Sequence, residues 1–372
     1  MRILILDTYY KDFLTHWYSR NPQASSLPYD QQWRALQDQC FSTADFYSSN
    51  LIQLGHEAVE IIINCEPLQR QWAAEKGLSV DGGVRANLQR GVRRLLRRTS
   101  YDHWFYPIVA AQIRDFRPDV LYVQDMNSLS GQFLREIKPY TKIVAGQIAS
   151  PMDPGIDLRQ YDLVLSSLPH FVDRLRREGV VSEYLKLGFD PRILKHLKAG
   201  RRYGPVFVGT LSNLHQDRVR FLERMASAGL DVWGPGAEML DQKSPLRARH
   251  HGEAWARDMY QILRQAAIVI NHHLDLAESF ANNMRLYEAT GVGSLLLTDW
   301  KQNLDQIFEI GSEIVAYRSE DEAIELLMYY LEHEAERNQI GAAGQQRTLR
   351  EHTYYHRMSE LIPILEQQCG GR

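Results

Sequence analysis

Arg285 and Glu288 stand three positions apart at the start of a short amphipathic stretch, 283-NMRLYEATGVGSLLLTD-299. On a helix that spacing puts both side chains on nearly one face. Asn282 or Asn283 makes a good N-cap for it. A cation in the first turn opposes the helix dipole, so a nearby anion would rationalise Arg285. A carboxylate offers acceptors only, which suits a vicinal diol such as the two hydroxyls of a ribose. The helix N-terminus together with Arg285 suits a diphosphate. The same spacing equally allows a plain Arg285–Glu288 ion pair on a capped helix, a weak contribution at a surface. Gly291 and Gly293 end the helix and admit a tight turn into the apolar run that follows.

These residues need elements to position them. Continuous apolar runs at 2–7, 58–63, 119–124, 142–147, 162–167 and 184–189 read as strands buried on both faces of a parallel sheet. Helical stretches near 30–54, 84–116, 129–137 and 169–178 alternate with them, which is the pattern of a doubly wound α/β domain. Residues 190–205 are basic, carry Gly and Pro, and read as a connection. The alternation then restarts, with strands at 206–211, 230–234, 267–273, 294–299 and 313–318 and helices near 214–228, 254–266, 283–290 and 320–333. A helical tail covers 335–367. The expected division is 1–195, 196–345 and a terminal segment 346–372. The segment 93-RRLLRR-98 reads as a basic helix face, solvated or set against an anionic membrane or acceptor.

Ligands of open parallel sheets bind at the carboxyl ends of the strands. In the second half those ends carry Gly209 and Thr210, Gly234 and Gly236, and His272 with His273. A glycine at 209 would let a phosphate approach the backbone, although a tight turn needs one regardless. Arg218 on the next helix could reach a phosphate or simply be exposed. His272 reads as a base, a phosphate contact or a structural histidine. The pairs His250-His251 and His272-His273 lack spaced carboxylate or Cys partners, so no metal ligand is assigned.

The chain has 372 residues, 44% hydrophobic and 24% charged, with a net charge of -3. Its length favours two domains, and its charge argues against generic nucleic-acid binding. Three scattered cysteines, Cys40, Cys65 and Cys369, fit a reducing compartment. No run of ~18 apolar residues is present, and the N-terminal strand reads as that of a cytoplasmic protein.

Residues 206–360 resemble the C-terminal half of a GT-B glycosyltransferase, in particular the CgeB-like, spore-maturation branch of glycosyl transferases group 1. The resemblance rests on 207-FVGT-210 with Arg218, 270-INHH-273, 283–299, 313-EIVAYRSEDEAIELLMYYL-331 and 341-GAAGQQRTLREHTYYHRM-358. It implies two Rossmann-like domains facing a cleft, with a C-terminal helix crossing back to the first. It implies a nucleotide-diphosphate sugar as co-substrate in the second domain and a hydroxyl-bearing acceptor in the first, with no further cofactor. Glu288 would hold the donor ribose. Gly209 and Thr210 would lie beside the diphosphate, and Arg285 would bind phosphate or sugar. The broader group's first glutamate, eight positions before Glu288, is Phe280 here, and Glu278 is two positions off. No Asp-x-Asp motif is present, so basic side chains and helix N-termini would neutralise the leaving group.

An inverting transfer needs a general base at the acceptor hydroxyl. Asp7, Asp125, Asp153 and His16 are candidates, Asp125 first and Asp153 second, each equally able to serve as a cap or turn residue. Tyr9, Tyr10, Trp17 and Trp33 could stack on sugars, with packing the safer expectation. A nucleotide-sugar epimerase of the same shape and a non-catalytic sugar-nucleotide-binding assembly protein are the rival readings.

Overall fold

The computed structural model describes residues 1–79, 104–211 and 216–370. The basic segment 93–98, and Ser212 with Asn213, lie outside the described residues. Contacts divide the chain into two units, Met1–Leu185 with Met358–Arg372, and Lys186–Arg357.

The first unit holds six parallel strands: β1 (Arg2–Asp7), β2 (Glu57–Ile62), β3 (Val120–Val123), β4 (Ile143–Gln147), β5 (Leu163–Ser166) and β6 (Ser182–Tyr184), in spatial order β2-β1-β3-β4-β5-β6. The second holds five: β7 (Tyr203–Val208), β8 (Asp231–Trp233), β9 (Ala266–Asn271), β10 (Leu295–Asp299) and β11 (Val315–Tyr317), ordered β11-β10-β9-β7-β8 and again all parallel. Central strands β3 and β9 are buried at every residue, whereas edge strand β2 exposes Glu57 and Val59. Unbroken apolar runs therefore mark the middle of each sheet, where helices cover both faces.

Three expected elements change shape. The helix at 30–54 is two helices, Tyr29–Gln37 and Phe46–Gln53, because Cys40, Ser42 and Ala44 between them take positive φ. The strand at 184–189 ends at Tyr184. Its later apolar residues, Leu185 and Phe189, are buried instead, and Phe189 exchanges backbone bonds with His352 and Tyr354. The connection at 190–205 is partly structured: Asp190 caps a 3-10 turn over Pro191–His196, and β7 begins at Tyr203. The tail forms two helices, Glu334–Glu351 and Tyr354–Gly370, the second belonging to the first unit from Met358 onward. No described helix is long and apolar enough to cross a membrane.

Beyond the ends of β7 and β8 the two backbones stay in contact. Gly209 N donates to Trp233 O and Leu211 N to Pro235 O, both at 2.9 Å. Gly234 and Gly236 make this possible: both have positive φ, and a Cβ there would lie 2.1 Å from Gly209 O and 1.8 Å from Leu211 O. Gly234→Ala and Gly236→Ala should each cost at least about 2 kcal/mol, read as a fall in melting temperature. Gly204→Ala, which meets nothing within 4 Å, should change stability by no more than about 0.5 kcal/mol.

Candidate functional site

In the second unit β8 lies on one side of β7 and β9 on the other. The winding therefore reverses between β7 and β9, and a crevice forms outside their carboxyl ends. The residues nominated from sequence meet around it. Arg218 donates from Nη2 to Thr210 O at 2.5 Å, and its guanidinium lies 5.5 Å from the centre of the Phe207 ring. Its Nε is buried without a partner, and it forms no ion pair among the described residues. Burial pushes its pKa down to about 10. The positive charge of Arg218 also bears on His272, whose own pKa is lowered chiefly by burial. A half-buried cation with no carboxylate beside it among the described residues is a place where an anion gains.

Asn283 caps the helix Met284–Gly291, accepting from Leu286 N at 3.3 Å. Its amide nitrogen donates to Asn271 Oδ1 at 2.8 Å, and Asn271 in turn donates to Thr298 Oγ1 at 2.9 Å. The cap is thereby tied to β9 and β10, and the Asn283 side chain serves first to hold the helix.

The ion pair between Arg285 and Glu288 forms, but it is not a surface pair. Nη1 of Arg285 lies 2.7 Å from Glu288 Oε2, with side chains only 14% and 7% exposed. Nη2 of Arg285 donates to Val208 O at 3.0 Å, at the end of β7. The Tyr260 hydroxyl donates to Glu288 Oε1 at 3.4 Å. A carboxylate has about four acceptor positions, so these contacts leave Glu288 able to accept further hydrogen bonds.

Gly209 differs from expectation. Its N–H is already given to Trp233 O, and a Cβ would come within 2.9 Å of Phe207 Cζ. The glycine makes room for the Phe207 ring and does not offer its amide to a phosphate. Thr210 is exposed beside it.

Sequence reading passed over three partners. Asp299, at the end of β10, accepts from His273 N at 3.0 Å and lies 2.7 Å from His273 Nδ1. Burial opposes its charge, yet His273 holds it well below the usual carboxylate range. Nε2 of His273 is buried without a partner among the described residues. Tyr317 positions His272, and Tyr260 touches Glu288. For Asp299 the signal was present, since it ends an apolar strand as His272 does. Phe280 lies between β9 and the capped helix, and Glu278 nearby has φ 49°.

In the first unit the winding reverses between β1 and β3. Here the nominated acids come together. Asp7 ends β1 and accepts from Thr8 N at 2.7 Å and from Thr43 Oγ1 at 3.3 Å. Thr8 Oγ1 donates to Asp125 Oδ2 at 2.9 Å. Asp125 also accepts from Asn127 N at 3.1 Å, capping a 3-10 turn. Asn127 Oδ1 accepts from Asp153 N at 2.9 Å, and Asp153 accepts from Gly155 N at 2.8 Å. Asp153 therefore reaches the pair through Asn127 alone. His16, on the helix Lys11–Arg20, shares no hydrogen bond with this cluster. Tyr9 and Trp17 are buried, Trp33 donates to Glu60 O at 2.9 Å, and Tyr10 is exposed.

Residues 216–363 match the family described as glycosyl transferase-like. The fold is that of the GT-B glycosyltransferases. HepE from Anabaena, crystallised with UDP and glucose, is 11% identical, with 99% of this chain and 100% of that chain covered and a TM-score of 0.60. Sucrose-phosphate synthase from Thermosynechococcus elongatus is 10% identical, with both chains fully covered and a TM-score of 0.58. The chain spans 61% of the matched chain in the GtfA/B complex, at 12% identity and a TM-score of 0.45. No curated protein matches.

Burial lifts the Asp7 carboxyl to about 7, reinforced by the charge of Asp125 and opposed by Thr8 and Thr43. The folded chain thus holds a proton, between the ordinary carboxylate pKa and about 7, that the unfolded chain has lost. Stability must fall as pH rises through that window and level off above it. The full effect is on the order of 4 kcal/mol. Asp7→Asn should therefore gain melting temperature relative to wild type at pH 8 compared with pH 5. A difference that does not vary with pH would show that Asp7 ionises normally.

Proposed function

We propose that this chain is a glycosyltransferase of the CgeB-like branch that moves a hexose-type sugar from a nucleotide-diphosphate sugar to a hydroxyl acceptor, in the cytoplasm and without a required metal. The observation that carries the reading is Arg218 at the β7–β9 switch point, a half-buried guanidinium whose Nε is enclosed without a hydrogen-bond partner and which forms no ion pair among the described residues. Arg285 lies at the same strand end, bonded to Val208 O. Two cations and a helix N-terminus are what a leaving diphosphate needs as its charge grows.

In this reading the diphosphate lies against Arg218 and the first turn of Met284–Gly291. The open acceptor positions of Glu288 take the ribose hydroxyls. The acceptor oxygen bonds to the anomeric carbon as the bond to the diphosphate breaks, and the diphosphate departs with the electron pair. Asp125 takes the acceptor's proton. Thr8 and the Asn127 amide hold that carboxylate in place. Asp7 sits behind it, and Asp153 orders the adjoining loop.

Incubation with UDP-, GDP- and dTDP-sugars tests the reading, with slow release of free nucleotide expected and turnover surviving EDTA. Sugar interconversion without release would mark an epimerase, and binding with neither an assembly protein. Because the Glu288–Arg285 pair is buried, removing one partner strands the other. Glu288→Gln should therefore lower the melting temperature of the free protein and also abolish most of the stabilisation that nucleotide confers, with affinity at least about tenfold weaker. Lower stability with unchanged nucleotide affinity would reduce Glu288 to a purely structural role. Asp125→Asn should abolish transfer while nucleotide affinity stays at the wild-type value, and retained turnover would remove Asp125 as base.

A further inference from the structure

Asp125, just past the end of β3 in the first unit, is half-buried. Two groups of the chain meet its carboxylate, the Thr8 hydroxyl at 2.9 Å and the Asn127 N–H at 3.1 Å. Of its roughly four acceptor positions, about two stay open. Asp7, Asp125 and Asp153 form no ion pair among the described residues. The Lys and Arg residues between Asp125 and the end of β5 are all matched by other acids. Arg135 and Arg159 pair with Asp157 at 3.0 and 2.8 Å, Lys138 with Asp162 at 3.2 Å, and Lys142 with Asp119 at 2.9 Å. After β1, Lys11, Arg20 and Arg34 are exposed, and His16 shares no hydrogen bond with the three acids. His170, in the helix after β5, packs edge-on against Phe171.

Tyr161 supplies an independent observation. It is 6% exposed, and its hydroxyl is buried with no partner among the described residues. Its ring lies against Gly146 on β4. A Cβ at that glycine would come within 2.8 Å of Tyr161 Cε1, the carbon beside the hydroxyl-bearing one, and within 2.6 Å of Met126 Sδ. The ring therefore reaches the end of β3 beside the residue that follows Asp125. Burial raises the pKa of this hydroxyl, and the charge of Asp125 raises it further. A buried hydroxyl that bonds to nothing costs free energy until a ligand meets it.

A half-buried carboxylate with no cation beside it gains from a positive charge. A divalent metal ion asks for about six oxygen ligands, more than one carboxylate and one phenol provide. A primary ammonium instead carries N–H donors only, which the open positions of Asp125 and the Tyr161 oxygen can accept. We infer that the first unit takes an acceptor bearing an ammonium group, with Asp125 as its counter-ion and the Tyr161 oxygen as a further acceptor. One open position of Asp125 then meets the ammonium and the other the reacting hydroxyl. The place of this amino alcohol in a reaction rests on the transfer reading above, whereas its binding does not.

Ligand-observed NMR titrations of the full chain at pH 7, without nucleotide, test it. The probes are trans-4-aminocyclohexanol, methyl glucosaminide and methyl 6-amino-6-deoxyglucoside, each against the parent compound with a hydroxyl in place of the amine. At least one amine should bind at least about tenfold tighter than its parent, and added salt should shrink that margin. Asp125→Asn should erase the margin. Tyr161→Phe, which deletes only a hydroxyl, should narrow it at least about threefold. Melting temperatures report on the folding of both variants. Equal affinity of amine and parent in every pair, or a margin that either folded variant leaves intact, would overturn the inference. An amine preference with no nucleotide released from any sugar nucleotide would end the transfer reading and leave the ammonium site standing. Nucleotide release with amine and parent bound equally would do the reverse.

Discussion

Arg285 can remain charged inside the second unit because two groups meet its guanidinium there: the Glu288 carboxylate and the Val208 carbonyl. Much of the crevice follows from that arrangement. The Val208 bond ties the first turn of Met284–Gly291 to the end of β7. The bond from Asn283 to Asn271 ties its cap to β9. The helix N-terminus is thereby fixed over the point where the sheet reverses, and Arg218 reaches the neighbouring loop from its own helix. Enclosing an ion pair costs desolvation that the attraction barely recovers. A hydrophobic pair would stabilise the same helix as well, so the charges are better understood through what they can hold.

The first unit solves a mirror problem with the opposite charge. Its switch point gathers Asp7, Asp125 and, through Asn127, Asp153. In both units the reason is the same. A parallel sheet covered on both faces has no room for polar chemistry along its strands, so polar side chains collect where the strands end. Acids gather at the switch point of the first unit and guanidinium groups at that of the second.

That logic explains what the sequence made legible. Apolar runs located the sheets because burial on both faces leaves no alternation to confuse them, and strand ends then nominated Asp7, Asp125 and His272 directly. The cap at Asn283 and the Arg285–Glu288 spacing were readable because helix geometry fixes both. Other features depend on chain partners far apart in sequence. Gly209 looked like a phosphate turn until Phe207 and Trp233 showed what its small size and its N–H serve. The burial of the Arg285–Glu288 pair needs Tyr260 and Val208, which no local pattern connects to it. The break at residues 38–45 was hidden because three non-glycine residues adopt left-handed backbone. Leu185 and Phe189 read as strand because a buried loop and a buried strand carry the same composition.

The loop that joins β9 to the capped helix is held through its main chain. Residues following β10 brace it through backbone bonds. Lys301 Nζ donates to Glu278 O at 2.7 Å, Gln302 N to Ser279 O at 2.9 Å, and Asn303 both accepts from Ala281 N and donates to Ala281 O. These bonds read only the main chain, so they hold the loop whatever side chain stands at 280. A glutamate in place of Phe280 would add a carboxylate and leave the backbone path unchanged.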